Sequence, residues 1–182
     1  MKLGSVLGVI LFLFVTPAAL AEGGGGGGGG LMISENAFFW NSTKDDQVNN
    51  TKTNSLNNIY DGKVGYLTSS GIYLGGIYTS RSDNTGNTNQ RGSSGGGSLG
   101  YFTEHGFYIM GHYIASADYD TLSKGTGFQG DVGFIIHFWG PIFAGGEVNY
   151  RSITYAKDST DATKTKTTVS EFFPMFTLGL IL

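Results

Sequence analysis

The sequence predicts an all-β chain closed as an eight-stranded antiparallel up-and-down transmembrane β-barrel. Three observations predict it. Apolar and polar side chains alternate with period two in runs of about ten residues, which is the strand period. Tight turns and long polar connections alternate along the chain, as in a meander of hairpins. The N-terminus carries the layout of an export signal, and no later segment has eighteen uninterrupted apolar residues.

The elements follow in order. "MKLGSVLGVILFLFVTPAALAE" has Lys2, an apolar core from Val6 to Val15, then Pro17 and "ALA" ending at Ala21. That is a secretory signal peptide over 1–21, with an uncleaved anchor as the alternative. Residues 22–30 are Glu22 and eight glycines, read as a flexible linker. No Lys-Ser/Thr follows and no strand precedes them, so they are not a phosphate loop. The barrel domain is 31–182, with strands expected at 31–42, 58–69, 71–82, 91–103, 106–119, 125–138, 141–156 and 167–182. Residues 41–58, 82–90, 118–125 and 156–167 are read as long polar connections, and "SSG", "TEHG" and "FWGP" as tight turns. All tight turns then fall at one end, with both termini.

The hairpin from Gly130 to Tyr155 shows the logic. Phe128, Val132, Phe134, Ile136 and Phe138 share one face; Gln129, Asp131, Ile135 and His137 share the other. With the turn centred on Gly140, Asp131 stands opposite Asn149 and diagonal to Glu147 and Arg151. Strands this long, with aromatics near both ends, match an outward apolar band between two girdles. The expected girdle is Phe102, Phe107, Phe138, Trp139 and Phe143 by the tight turns, and Tyr60, Tyr78, Tyr119, Tyr150 and Tyr155 by the long connections. Closure would satisfy every backbone group in a solvent without hydrogen bonds.

The inward parity collects Asp61, Lys63, Tyr73, Thr79, Arg81, Tyr108, Met110, His112, Asp131, His137, Glu147, Arg151, Glu171 and Phe173. Eight strands leave an interior that side chains fill, so the expectation is a satisfied lumenal network with Lys63, Arg81 and Arg151 facing the carboxylates. The first strand allows two parities: Phe38 and Trp40 outward with Glu35 inside, or Ala37 and Phe39 outward. Pro174 cannot donate to a ladder, which suggests a bulge or an unpaired position.

The signal peptide, eight meandering strands, long outer connections and tight inner turns resemble the small OmpA/OmpX-type outer-membrane barrels of Gram-negative bacteria, over nearly the whole mature chain. The resemblance implies a porin-like fold in the cell outer membrane with periplasmic termini. It also implies contact with outer-membrane lipid and lipopolysaccharide, and delivery by the barrel assembly machinery. Such barrels usually end in an aromatic residue; this chain ends in Leu182.

Composition excludes several chemistries. The net charge of -3 argues against nucleic acid. Cysteine is absent, so no disulfide or thiolate metal site forms. The three histidines, His105, His112 and His137, have no metal-binding spacing, and no G-x-S-x-G elbow exists. No catalytic residue, metal or cofactor is expected. The expectation is a monomeric, non-enzymatic barrel serving envelope integrity or surface interaction, with 43–57 and 157–166 as the segments for a surface ligand. The alternatives are a small pore, with Gly65, Gly75, Gly96, Gly100, Gly133 and Gly145 leaving a gap, a lipid-acting enzyme, and a soluble ligand-binding barrel.

Overall fold

The computed structural model describes residues 29–46, 51–85, 88–158 and 166–182. The expected signal peptide and nearly all of the linker lie outside them. The described residues form eight strands: β1 Gly30–Asp46, β2 Thr51–Leu67, β3 Ile72–Thr85, β4 Thr88–Phe102, β5 Phe107–Tyr119, β6 Leu122–Trp139, β7 Ile142–Asp158 and β8 Thr167–Ile181. Each pairs antiparallel with its sequence neighbour, and β8 returns to β1, closing a barrel.

Two of the three tight turns come from a repeated Thr-x-x-Gly. Gly71 donates its N–H to the Thr68 carbonyl at 3.0 Å, and Gly106 to that of Thr103 at 3.0 Å. Both glycines have positive φ, 85° and 83°, a conformation that a Cβ would strain. The turn then feeds the next hairpin: the Gly71 carbonyl accepts from Phe102 N at 2.7 Å, and that of Gly106 from Ile135 N at 2.9 Å.

At the other end the strands run further than the sequence suggested. Of the expected surface segment 43–57, residues 43–46 and 51–57 are strand. The connection expected over 118–125 shrinks to a turn at Asp120 and Thr121. Cross-strand hydroxyl pairs line the outer part of the β7–β8 hairpin: those of Ser152 and Ser170 lie 3.0 Å apart, and those of Thr154 and Thr168 2.9 Å.

The outer wall is apolar and exposed, from Leu74, Leu99 and Val132 to Phe134 and Ile136. The interior is polar at its centre and apolar at both ends. The first strand takes the second parity: Met32, Ser34 and Asn36 are buried, while Phe39 and Glu35 face outward. A bulge at Ala115 reverses the parity of β5, because Gly95 pairs with Ser116 and Gly96 with Ile114.

Four girdle assignments are corrected, one by this bulge and three by the parity of β4 and β7. Tyr119 lies inside, past the bulge, where its hydroxyl donates to Asp83 at 2.8 Å. Tyr155 is buried in the apolar layer with Ile77, Ile114 and Ile153. Phe102 is buried and stacks on Tyr108 with ring centroids 4.7 Å apart. Phe143 is 0% exposed and occupies the space over Gly179. Nearness to a tight turn suggested the girdle for these two phenylalanines, but strand parity decides the face. Phe107, Phe138, Trp139, Tyr60, Tyr78 and Tyr150 do face outward.

Candidate functional site

The lumen is stratified. At the tight-turn end Met32, Leu67, Tyr73, Phe102, Tyr108, Met110, Ile135 and Phe143 form an apolar layer. Toward the other end Ile77, Ile114, Ala117, Ile153 and Tyr155 form a second. Between them sits a charged network that strand alternation dictates, since every second residue of β2, β5, β6 and β7 must point inward.

Lys63 is its hub. The ammonium reaches Asp131 Oδ2 at 2.5 Å and the two Glu147 oxygens at 2.9 and 2.8 Å. Asp131 also accepts from Gln129 Nε2 at 2.9 Å and Asn149 Nδ2 at 3.1 Å, and it contacts His112 Nε2 at 2.7 Å. Tyr108 donates to Glu147 at 2.6 Å, and Ser98 Oγ lies 2.6 Å from His112 Nδ1. A second centre crosses the lumen: Arg151 Nη2 donates to both Asp61 oxygens at 2.9 and 3.1 Å, and its Nε donates to Gln129 at 2.6 Å. Thr79 and Gln129 complete the shell around Asp61. Each carboxylate of the network therefore has an opposite charge and neutral donors, the condition under which burial is tolerated.

A third group sits nearer the outer end, where Arg81 bridges Asp83 and Glu171 and its guanidinium covers the Tyr119 ring at 4.6 Å. A cavity of about 20 Å³ lies between this group and Arg151, room for about one water.

The register expected for the hairpin holds: Asp131 stands opposite Asn149. Its ion-pairing does not stay within the hairpin, because Asp131 binds Lys63 across the lumen and Arg151 binds Asp61. Of the inward residues singled out from sequence, Asp61, Lys63, His112, Asp131, Glu147 and Arg151 form one buried network; Arg81 and Glu171 form the outer group. His137 is corrected: it is exposed at the tight-turn rim, its ring 5.9 Å from that of Phe143. Asp83 and Asn36 were missed. Asp83 fell in an expected connection, and Asn36 on the strand whose parity was open.

Four of the six inward glycines are filled by side chains rather than left as a gap: Gly65 and Gly75 by Tyr73, Gly100 by Met110 and Gly133 by Tyr108. A Cβ on Gly133 would stand 2.6 Å from the Tyr108 hydroxyl, and one on Gly65 2.7 Å from the Tyr73 ring. These glycines are seats for large side chains from neighbouring strands. No group of His, Asp and Glu suited to a metal exists among the described residues. No family model, curated protein or solved structure matches the chain.

Proposed function

We propose that the protein is a monomeric, non-enzymatic barrel integral to the outer membrane, serving envelope integrity or surface interaction through its polar hairpin ends. One observation carries this reading: the wall is inverted relative to a soluble barrel. The outer face exposes Leu, Ile, Val, Phe and Tyr side chains, while Lys63, Asp61 and Asp131 are 0% exposed inside. In water that arrangement would expose the apolar wall and bury charge; in a bilayer the wall meets lipid, and closure pairs β8 with β1 instead of leaving two free sheet edges. The two apolar layers and the cross-lumen ion pairs favour a plugged barrel over a pore, since they fill the path that a solute would take. The surface role draws on the polar composition of segments 43–57 and 157–166.

The test is gel migration of protein taken from the outer-membrane fraction. A folded barrel stays compact in cold SDS and shifts on boiling. Recovery in the soluble fraction with no heat-dependent shift would sink the proposal.

A further inference from the structure

The ladder that closes the barrel is the shortest. β1 and β8 pair at six positions, from Met32–Ile181 to Ala37–Phe176, whereas every other ladder has ten or more. The reason lies in one residue. Leu31 and Leu182 exchange both backbone hydrogen bonds, each at 2.9 Å. Doubly bonded pairs alternate in an antiparallel ladder, so they recur at Ile33/Leu180, Glu35/Leu178 and Ala37/Phe176. The next is Phe39 with Pro174, and proline has no N–H to give. On its other side Pro174 faces Val148. The Ile181 N–H bond to the Pro141 carbonyl sets the phase of that ladder and makes Val148/Pro174 a pair that needs no N–H. The proline is harmless to β7 and stops β1.

The wall is aromatic on both sides of the break. Phe39, Phe172 and Phe176 are exposed outside it. Inside, Ile59, Phe173 and Met175 form an apolar cluster with the half-buried Phe38, whose ring lies 5.9 Å from that of Phe173. Trp40, on the inward parity of β1, is 57% exposed. Just below, Ser34 Oγ, both amide atoms of Asn36 and Thr177 Oγ1 are buried with no hydrogen-bond partner, so the polar network does not tie these two strands together.

We propose that the β1–β8 seam above Ala37 and Phe176 is a lateral portal that admits one acyl chain of a bilayer lipid. Phe38 is its movable side, and Ile59, Phe173 and Met175 line its inner wall. The proposal rests on the membrane reading above. An acyl chain is favoured over a strand from a second copy for two reasons. The unpaired edge inside the apolar band is short, from Phe38 to Trp40, and Pro174 removes a donor that a strand would need.

The experiment uses the full chain in phosphatidylcholine vesicles doped with a lipid carrying a diazirine on its acyl chain. Light, digestion and mass spectrometry locate the label. The expected result is label on outward Leu74, Leu99 and Val132, and also on inward Phe38, Phe173 or Met175. Pro174→Val restores the N–H and should cut the inward label several-fold while leaving the outward label unchanged. The pair Trp40→Cys with Phe173→Cys, which keeps Pro174, should cut the label on Phe38 and Met175 when oxidised and restore it on reduction, in a chain without native cysteine. Ile33→Cys with Leu180→Cys, within the paired part of the same seam, should leave the inward label intact. Outward label alone, or inward label that neither closure reduces, overturns the portal and leaves the membrane reading standing. An intermolecular disulfide formed by the single variant Phe39→Cys, without inward lipid label, overturns it in favour of a second copy. No label anywhere overturns the membrane reading, and the portal with it.

Discussion

Lys63 Nζ lies 2.5 Å from Asp131 Oδ2 across the barrel, with both side chains at 0% exposure, and the two strands that carry them are not neighbours. The pair therefore ties opposite walls together. Lys63→Met would leave Asp131 and Glu147 buried without their shared cation. The expected loss is about 3–5 kcal/mol, the range for a broken buried ion pair. Urea titration of the refolded barrel in detergent checks it. A loss below about 1 kcal/mol would mean that water or protons replace the ammonium cheaply.

Two glycines on β6 offer a matched comparison. Gly133 points inward against the Tyr108 ring, while nothing lies within 4 Å of a Cβ on Gly130. Gly133→Ala should cost about 1–3 kcal/mol through overpacking. Gly130→Ala should be neutral or slightly stabilising, since alanine restricts the unfolded chain. Equal effects in thermal melts would refute the seating of large side chains on small residues.

Glu35 is the exception on the outer wall. It faces outward between Ile33 and Ala37, opposite Leu178 of β8 and Gly62 of β2. On the membrane reading proposed above, a carboxylate there costs less than a lysine but still costs. Glu35→Leu should raise stability by about 1 kcal/mol in phosphatidylcholine vesicles. A drop instead would show that Glu35 makes a contact of its own.

The filled lumen predicts electrical silence. Purified barrel in planar bilayers should give no reproducible conductance steps at high protein load. Steps in the wild-type chain whose size changes on Arg151→Ala would mean that ions pass the network and that the pore reading is right.

The strand period carried much of this architecture, and its limits are instructive. Parity alone brought Asp61, Lys63, Asp131, Glu147 and Arg151 inside, and the turn centred on Gly140 placed Asp131 opposite Asn149. Which charge meets which was not legible within one hairpin, because the partners come from strands across the lumen. Tyr119 changed face through a single extra residue at Ala115, and nothing in "YIASADY" announces a bulge. Phe102 and Phe143 misled because position near a turn was weighed above parity. Pro174 was readable as a ladder defect; that it interrupts the closing seam required the register of both neighbouring ladders.

The mutual hydrogen bonds between Leu31 and Leu182 also bear on the order of events in folding. Seven hairpin ladders join strands adjacent in sequence, so each can zip locally; the eighth joins the two ends of the sheet. Contacts of high sequence separation carry the largest chain-entropy cost and form slowly. The sheet should thus exist for a time as an open, curled ribbon whose free edges, β1 and β8, are the surfaces exposed to capture, misregistration or aggregation until the circle is completed.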